Sequence, residues 1–175
     1  MVNDNGGMLR YQVSDLLGHP GLSRPVGGEL PLQLQVGETV VDDVAEVIAQ
    51  LDSIPEGIIA RGSASTMAHH VCARCLREWD GPIEVEFTEL FARGSSSKLA
   101  DEDLARVTNE GFIDLGPLVH DEVCLSLPAD PLCRPDCLGL CPTCGADLNV
   151  SPCAGHGDQS SSPFAALKQL FASET

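Results

Sequence analysis

The chain has 175 residues, 26 acidic against 10 basic, and a formal net charge of −16, so most of its surface repels phosphate and a generic nucleic-acid binder is disfavoured. Hydrophobic residues make up 43% but aromatics only 4%, which allows one ordinary domain, or a core with a small metal-stapled lobe, packed on Val, Ile, Leu and Ala. No apolar run is long enough to cross a membrane, and Met1 to Arg10 carries Asn, Asp and Gly where a signal peptide would be apolar. A cytoplasmic, reducing location is therefore expected.

In chain order, Leu30 to Val36 alternates apolar and polar residues as a half-buried strand does, with Pro31 suggesting a sheet edge. Val44 to Leu51 fits strand or helix by periodicity, but its Val/Ile content and the turn Ser53-Ile54-Pro55-Glu56-Gly57 favour a strand entering a hairpin, and the return strand runs from Ile58 to Val71 with a bulge expected near Gly62. Trp79-Asp80-Gly81-Pro82 signals a turn, after which Ile83 to Phe91 alternates as a third antiparallel strand. Residues 94–110 turn polar and acidic, predicting a mobile loop and hinge with a short helix around Asp101 to Val107. Asp114 then caps a helix with Leu115, Leu118, Val119 and Val123 on one face, ended by Leu127-Pro128. Cys124 lies inside it as a small buried hydrophobe rather than a ligand. Ser162-Pro163 starts a C-terminal helix whose Phe164, Leu167, Leu170 and Phe171 stripe packs on the sheet or docks on a partner.

This divides the chain into an N-terminal segment (1–29), antiparallel strands with a first cysteine pair (30–93), an acidic loop (94–113), a helix (114–130), a cysteine-rich lobe (131–158) and the terminal helix (159–175). The fold class expected is α+β: a small antiparallel sheet, a packed helix and a zinc-stapled lobe.

The chemistry lies in the cysteines. Eight are present, five of them in Cys133-x3-Cys137-x3-Cys141-x2-Cys144 and Cys153, with Cys153-x2-His156 closing the stretch and Cys72-x2-Cys75 far upstream. Setting Cys124 aside and adding His156, they supply ligands for two tetrahedral zinc ions. Cys141-Pro142-Thr143-Cys144-Gly145 carries a proline to set the turn and a glycine able to take positive φ. Cys72-Ala73-Arg74-Cys75 alone could be a redox pair, but no βαβ pattern surrounds it. Disulfide pairing in an exported protein is the competing reading. His69-His70 points to opposite faces of a strand, so at most one of them could join a site.

Cys72-Ala73-Arg74-Cys75-Leu76 ahead of a Glu-rich strand, Ile113-Asp114-Leu115, Leu125-Ser126-Leu127-Pro128 and the stretch from Cys133 through Cys141-Pro142-Thr143-Cys144-Gly145 to Asn149, with a closing Pro-Phe-Ala helix, resemble the YceD family of large ribosomal RNA subunit accumulation proteins. The resemblance covers residues 30 to 172. It implies a cytoplasmic, non-catalytic factor for accumulation of 23S ribosomal RNA or its precursor, with no membrane and no small-molecule substrate. Cys153-x2-His156 departs from the Cys-x-Cys often seen in similar proteins.

The favoured division is Cys72, Cys75, Cys133 and Cys137 at one zinc, with Cys141, Cys144, Cys153 and His156 at the other. The rival is Cys133, Cys137, Cys141 and Cys144 around one ion, which needs only local folding. Two working modes compete. Arg74, Arg77 and Arg134 form a cationic patch on ribosomal RNA, or the acidic body carries a basic large-subunit ribosomal protein. An enzyme reading, a zinc deaminase using His120-Asp121-Glu122, matches poorly: Leu140 rather than proline precedes Cys141, and surplus cysteines would close the coordination sphere.

Overall fold

The computed structural model describes residues 9–93, 105–153, 155 and 156. Eight strands and one helix are found among them: β1 (Arg10–Gln12), β2 (Ser23–Pro31), β3 (Leu34–Val36), β4 (Thr39–Val41), β5 (Val44–Ile54), β6 (Gly57–Val71), β7 (Glu78–Ala92), β8 (Phe112–Asp114) and α1 (Gly116–Ser126). The architecture is thus dominated by antiparallel sheet and is only loosely α+β.

Strict alternation makes the sheet. β5 buries Ala45, Val47, Ala49 and Leu51, β6 buries Ile58, Ala60, Ala64 and Ala68, and β7 buries Ile83, Val85 and Phe87, while the intervening residues face outward. β6 is the spine. β7 pairs with it from Gly57↔Ala92 to Val71↔Glu78; on its other side β5 pairs as far as Glu46↔Ser65, and β4 takes over at Val40↔His69. β2 completes the far edge along β5. On the inner face lie α1, which buries Val119 and Val123, and the small β1–β8 pair, which buries Tyr11 and Ile113. All four belong to the main core with Leu51 and Ile58.

Several expectations are corrected. Leu30 to Val36 is not one strand: β2 ends at Pro31 and β3 begins at Leu34, because Leu32 and Leu34 turn inward around a bend whose Leu32 amide donates to the Asp43 carbonyl. The segment before residue 30 contributes β1 and most of β2. No bulge forms at Gly62, which pairs in register with Ala49. The glycine is there for close approach: a Cβ on it would lie 2.3 Å from the Ile48 carbonyl oxygen.

Trp79 to Pro82 is no turn either; all four residues pair with β6, opposite His70 to Met67. Trp79 stacks on His70 with ring centroids 4.4 Å apart, and a Cβ on Gly81 would strike the Trp79 ring. The glycine admits the indole. Ala105 to Val107 runs extended rather than helical, bridging β7 through Ala92↔Arg106, and residues 94–104 lie outside the described part. Asp114 stands one residue before the N-cap Leu115, its Oδ1 accepting the Gly116 amide at 2.8 Å. Cys124 is half-buried against the core. The terminal helix stripe at Phe164 to Phe171 falls outside the described residues. No described helix is long and apolar enough to cross a membrane.

Two candidate metal centres

The long β6–β7 hairpin carries the first cysteine pair at its tip. There the chain tightens into a knuckle: the Leu76 amide donates to the Cys72 carbonyl at 2.9 Å, and the Cys72 amide to the Arg77 carbonyl at 2.9 Å. The second pair repeats the turn, with the Gly145 amide on the Cys141 carbonyl at 2.8 Å. Gly145 has φ 72°, and Leu76, at the equivalent place, has φ 58°. A leucine there costs about 1 kcal/mol that a glycine would not.

The lobe folds back on the hairpin through backbone contacts. Ala73 donates to the Pro131 carbonyl and Leu140 to the Arg74 carbonyl, and a Cβ on Gly139 would lie 2.9 Å from the Arg74 carbonyl oxygen. Cys72 and Cys75 thereby meet Cys133 and Cys137, with Cys72 Sγ 3.8 Å from Cys137 Sγ and Cys75 Sγ 3.6 Å from Cys133 Sγ. Cys141, Cys144, Cys153 and His156 form a second group, with Cys144 and Cys153 sulfurs 3.7 Å apart and Cys153 Sγ 2.9 Å from His156 Nε2. Within each group all ligand atoms lie within 4.8 Å of one another. The structure does not gather Cys133, Cys137, Cys141 and Cys144 into one group.

These spacings are chemically specific. A disulfide needs sulfurs about 2 Å apart, whereas four sulfurs about 2.3 Å from a central ion stand about 3.8 Å from each other. The first group has that spacing, is mostly buried, and is packed by Trp79, Leu132 and Leu140. In the second, the S···N contact is shorter than the roughly 3.6 Å of a tetrahedral edge, so His156 must draw back slightly to share an ion. Either group could hold a metal, and four protein ligands leave no open position for substrate or water.

Each group has one thiol primed for capture. Burial disfavours the Cys72 thiolate, but amides of Cys133, Cys75 and Arg74 outweigh it and bring the thiol down to about 6. The Cys144 and Thr143 amides bring Cys141 down to about 6 in the same way. Partial burial and the neighbouring Cys75, Cys72 and Cys137 push Cys133 up to about 12. Its proton leaves only when a cation arrives.

Asn149 supports the first centre, and the sequence reading assigned it no role. Its Nδ2 lies 3.5 Å from Cys137 Sγ, and its Oδ1 accepts from the Leu138 amide at 2.8 Å and from Arg134 at 2.7 Å. Asp147 in turn holds Asn149 through its amide and Nδ2. Trp79 was missed too, hidden in an apparent turn. Of the two histidines, His70 is buried with Nδ1 3.0 Å from Thr39 Oγ1, and His69 lies between Asp80 and Asp42. Neither joins a cysteine group.

The three arginines are engaged within the protein. Arg74 donates to the Cys137 carbonyl at 2.8 Å, Arg77 reaches Asp147 at 3.5 Å, and Arg134 binds Asn149 and approaches Asp136 at 3.4 Å. His120 and Asp121 are exposed on α1 and pair with each other, remote in role from either cysteine group.

A family model described as "Large ribosomal RNA subunit accumulation protein YceD" matches residues 60–171, which takes in most of β6 and all of β7, α1 and both cysteine groups. The chain belongs to the YceD family. An uncharacterized protein of Mycobacterium tuberculosis is 37% identical over 130 residues, covering 72% of this chain and 61% of its own length. One of Mycobacterium leprae is 32% identical over 152 residues, 83% of this chain and 69% of its own. A maize protein named a chloroplastic homolog of the YceD accumulation protein is 39% identical over 62 residues, 34% of this chain and 20% of its own length. The chain thus spans about three fifths of the length of the Mycobacterium tuberculosis relative. No solved structure matches the chain.

Proposed function

We propose that this YceD protein is a non-catalytic cytoplasmic factor for accumulation of large-subunit ribosomal RNA, working through a surface held in shape by two zinc ions. Family membership supports the process. The observation that carries the mechanism is the meeting of hairpin tip and lobe at a closed group of four cysteines with tetrahedral spacing, beside a second closed, sulfur-rich group within the lobe. Such sites hold structure rather than activate water. His120 and Glu122, needed for a deaminase, stay on α1.

In this reading Arg74, Arg77 and Arg134 meet RNA at the hairpin tip. The geometry also gives weight to the second mode, the carrier of a basic ribosomal protein. Arg77 faces Asp147 and Arg134 faces Asp136, and seven coordinated thiolates against two dications add about three more negative charges. Local charge at the tip is then negative, and phosphate can reach only the exposed parts of arginines already engaged within the protein.

In cells lacking the chain, large-subunit ribosomal RNA should fall several-fold relative to small-subunit RNA, with restoration by the parent and not by Cys75→Ser. If the arginines touch RNA, Arg77→Glu with Arg134→Glu should abolish co-purification of large-subunit RNA while metal content stays unchanged. Unchanged RNA ratios on deletion would refute the function. Unchanged RNA recovery by the arginine variant would remove the RNA patch and leave the carrier mode.

A further inference from the structure

The outer face of the β2–β5–β6–β7 sheet is covered by nothing among the described residues, and its register makes an unusual surface. Glu29 stands directly opposite Glu46, Glu46 opposite Ser65, and Ser65 opposite Glu84, so one row across four strands holds three carboxylates and a serine. In the adjacent row, Gly27, Ile48, Ser63 and Glu86 follow one another in the same way. Like charges directly opposite on paired strands cost stability. Among the described residues none of these four glutamates has an ion-pair partner.

The cations on this face are already engaged elsewhere: Arg61 pairs with Asp52, and His69 sits between Asp42 and Asp80. The serines leave two shallow hollows between the taller side chains. One, of 540 Å³, is bordered by Glu46 and Met67; the other, of 440 Å³, by Ile48, Glu86 and Arg61, whose charge is turned to Asp52. Ile48 is 69% exposed and Met67 38%. An apolar residue so exposed at the middle of a sheet gains nothing from the fold.

We propose that this face docks an extended, cationic protein segment. A lysine or arginine set over Ser65 has Glu46 on one side and Glu84 on the other, each about 5 Å away across the strands. Its aliphatic stem lies on Met67 while the charge reaches the carboxylates. Ser63 and Ser65 are about 7 Å apart along β6, the repeat of alternate side chains in an extended segment, so cationic side chains two residues apart enter both hollows together. Ile48, beside Ser63, packs against the aliphatic stem of the second cation. RNA does not fit, because its phosphates meet a row of carboxylates. Identification of the partner as a ribosomal protein rests on the function proposed above, but the surface chemistry does not.

The test uses the whole chain, a short synthetic peptide alternating lysine and valine, and an RNA oligonucleotide, with affinities measured at near-physiological salt. Glu46→Gln with Glu84→Gln should weaken peptide binding at least tenfold, and Ile48→Ser several-fold. Glu38→Gln with Asp121→Asn, an equal charge change at exposed sites off this face, should change it less than twofold. The Glu46/Glu84 variant should also melt no lower than the parent, since a mutual repulsion has been removed. Equal loss in the control pair would reduce the effect to overall charge and overturn the docking surface. So would binding of the RNA at this face, shown by its sensitivity to Glu46 and Glu84. Peptide binding that survives when deletion leaves ribosomal RNA ratios untouched would sink the ribosomal function alone.

Discussion

Chelation of the zinc-loaded chain should unfold residues 131–156 while the β5–β6–β7 sheet persists. Structural zinc supplies roughly 10 to 16 kcal/mol of apparent binding free energy, and the lobe has little to replace it: only Cys137 and Cys141 of its cysteines are fully buried, and its apolar cluster is small. The sheet keeps the main core. The intact chain should carry close to two zinc ions, and hydrogen exchange should rise sharply from Cys133 to His156 on chelation. Trp79, the one tryptophan, packs on the first centre and should change emission when that ion leaves.

The two ions should differ in weight. The first joins Cys75 to Cys133 across 58 residues of chain, the second Cys144 to Cys153 across 9. The longer closure removes about 1.6 kcal/mol more entropy from the unfolded chain. Cys75→Ser should therefore lose one zinc, release the lobe from the hairpin and alter Trp79 emission, whereas Cys144→Ser should lose one zinc and leave that emission nearly unchanged. One zinc per chain, or exchange rising uniformly over sheet and lobe, would contradict this picture.

Gly62→Ala should be among the most damaging single methyls in the sheet. The added carbon would sit 2.3 Å from the Ile48 carbonyl oxygen and 2.8 Å from Ala49 Cα. Both are backbone of the paired strand, which cannot swing aside as a side chain would. Forcing β5 from β6 at this point should cost about 3 kcal/mol, the upper end for overpacking, and lower the melting temperature by about 10 °C. Ser63→Ala beside it, on the outer face, should change melting by no more than about 2 °C. Zinc content should stay at the parent's value in both, because the hairpin tip lies far along β6. A melting temperature for Gly62→Ala equal to the parent's would show that the strands can part there without loss.

Period-two alternation located the Ile83–Phe91 part of β7, because a strand with one dry and one wet face leaves that signature directly, whereas β5 and its return strand β6 were legible from Val/Ile content and the turn between them. It failed where backbone pairing overrode local composition. Gly81-Pro82 reads as a turn, but β6 is long enough to pair through it and the missing Cβ admits the Trp79 ring. β2 was mostly passed over because Pro25, Gly27 and Gly28 depress strand propensity, which an edge strand tolerates. Gly62 looked like an irregularity and is a close approach.

The same boundary runs through the candidate site. Spacing alone identified eight ligand-type residues and set Cys124 apart, since CxxC knuckles are local turns with local residue requirements. Which sulfurs face one another was decided only in three dimensions: the β6–β7 hairpin delivers Cys72 and Cys75 across a long chain separation to Cys133 and Cys137, and Gly139 lets the lobe close on Arg74. Tertiary structure likewise turned three apparently free arginines into internal partners, brought Asn149 to Cys137, and aligned Glu29, Glu46 and Glu84 in one row. Composition determined that this protein is acidic; strand register determined where that acidity faces outward unopposed, because the neighbours of a side chain across a sheet are set by pairing and not by order in the chain.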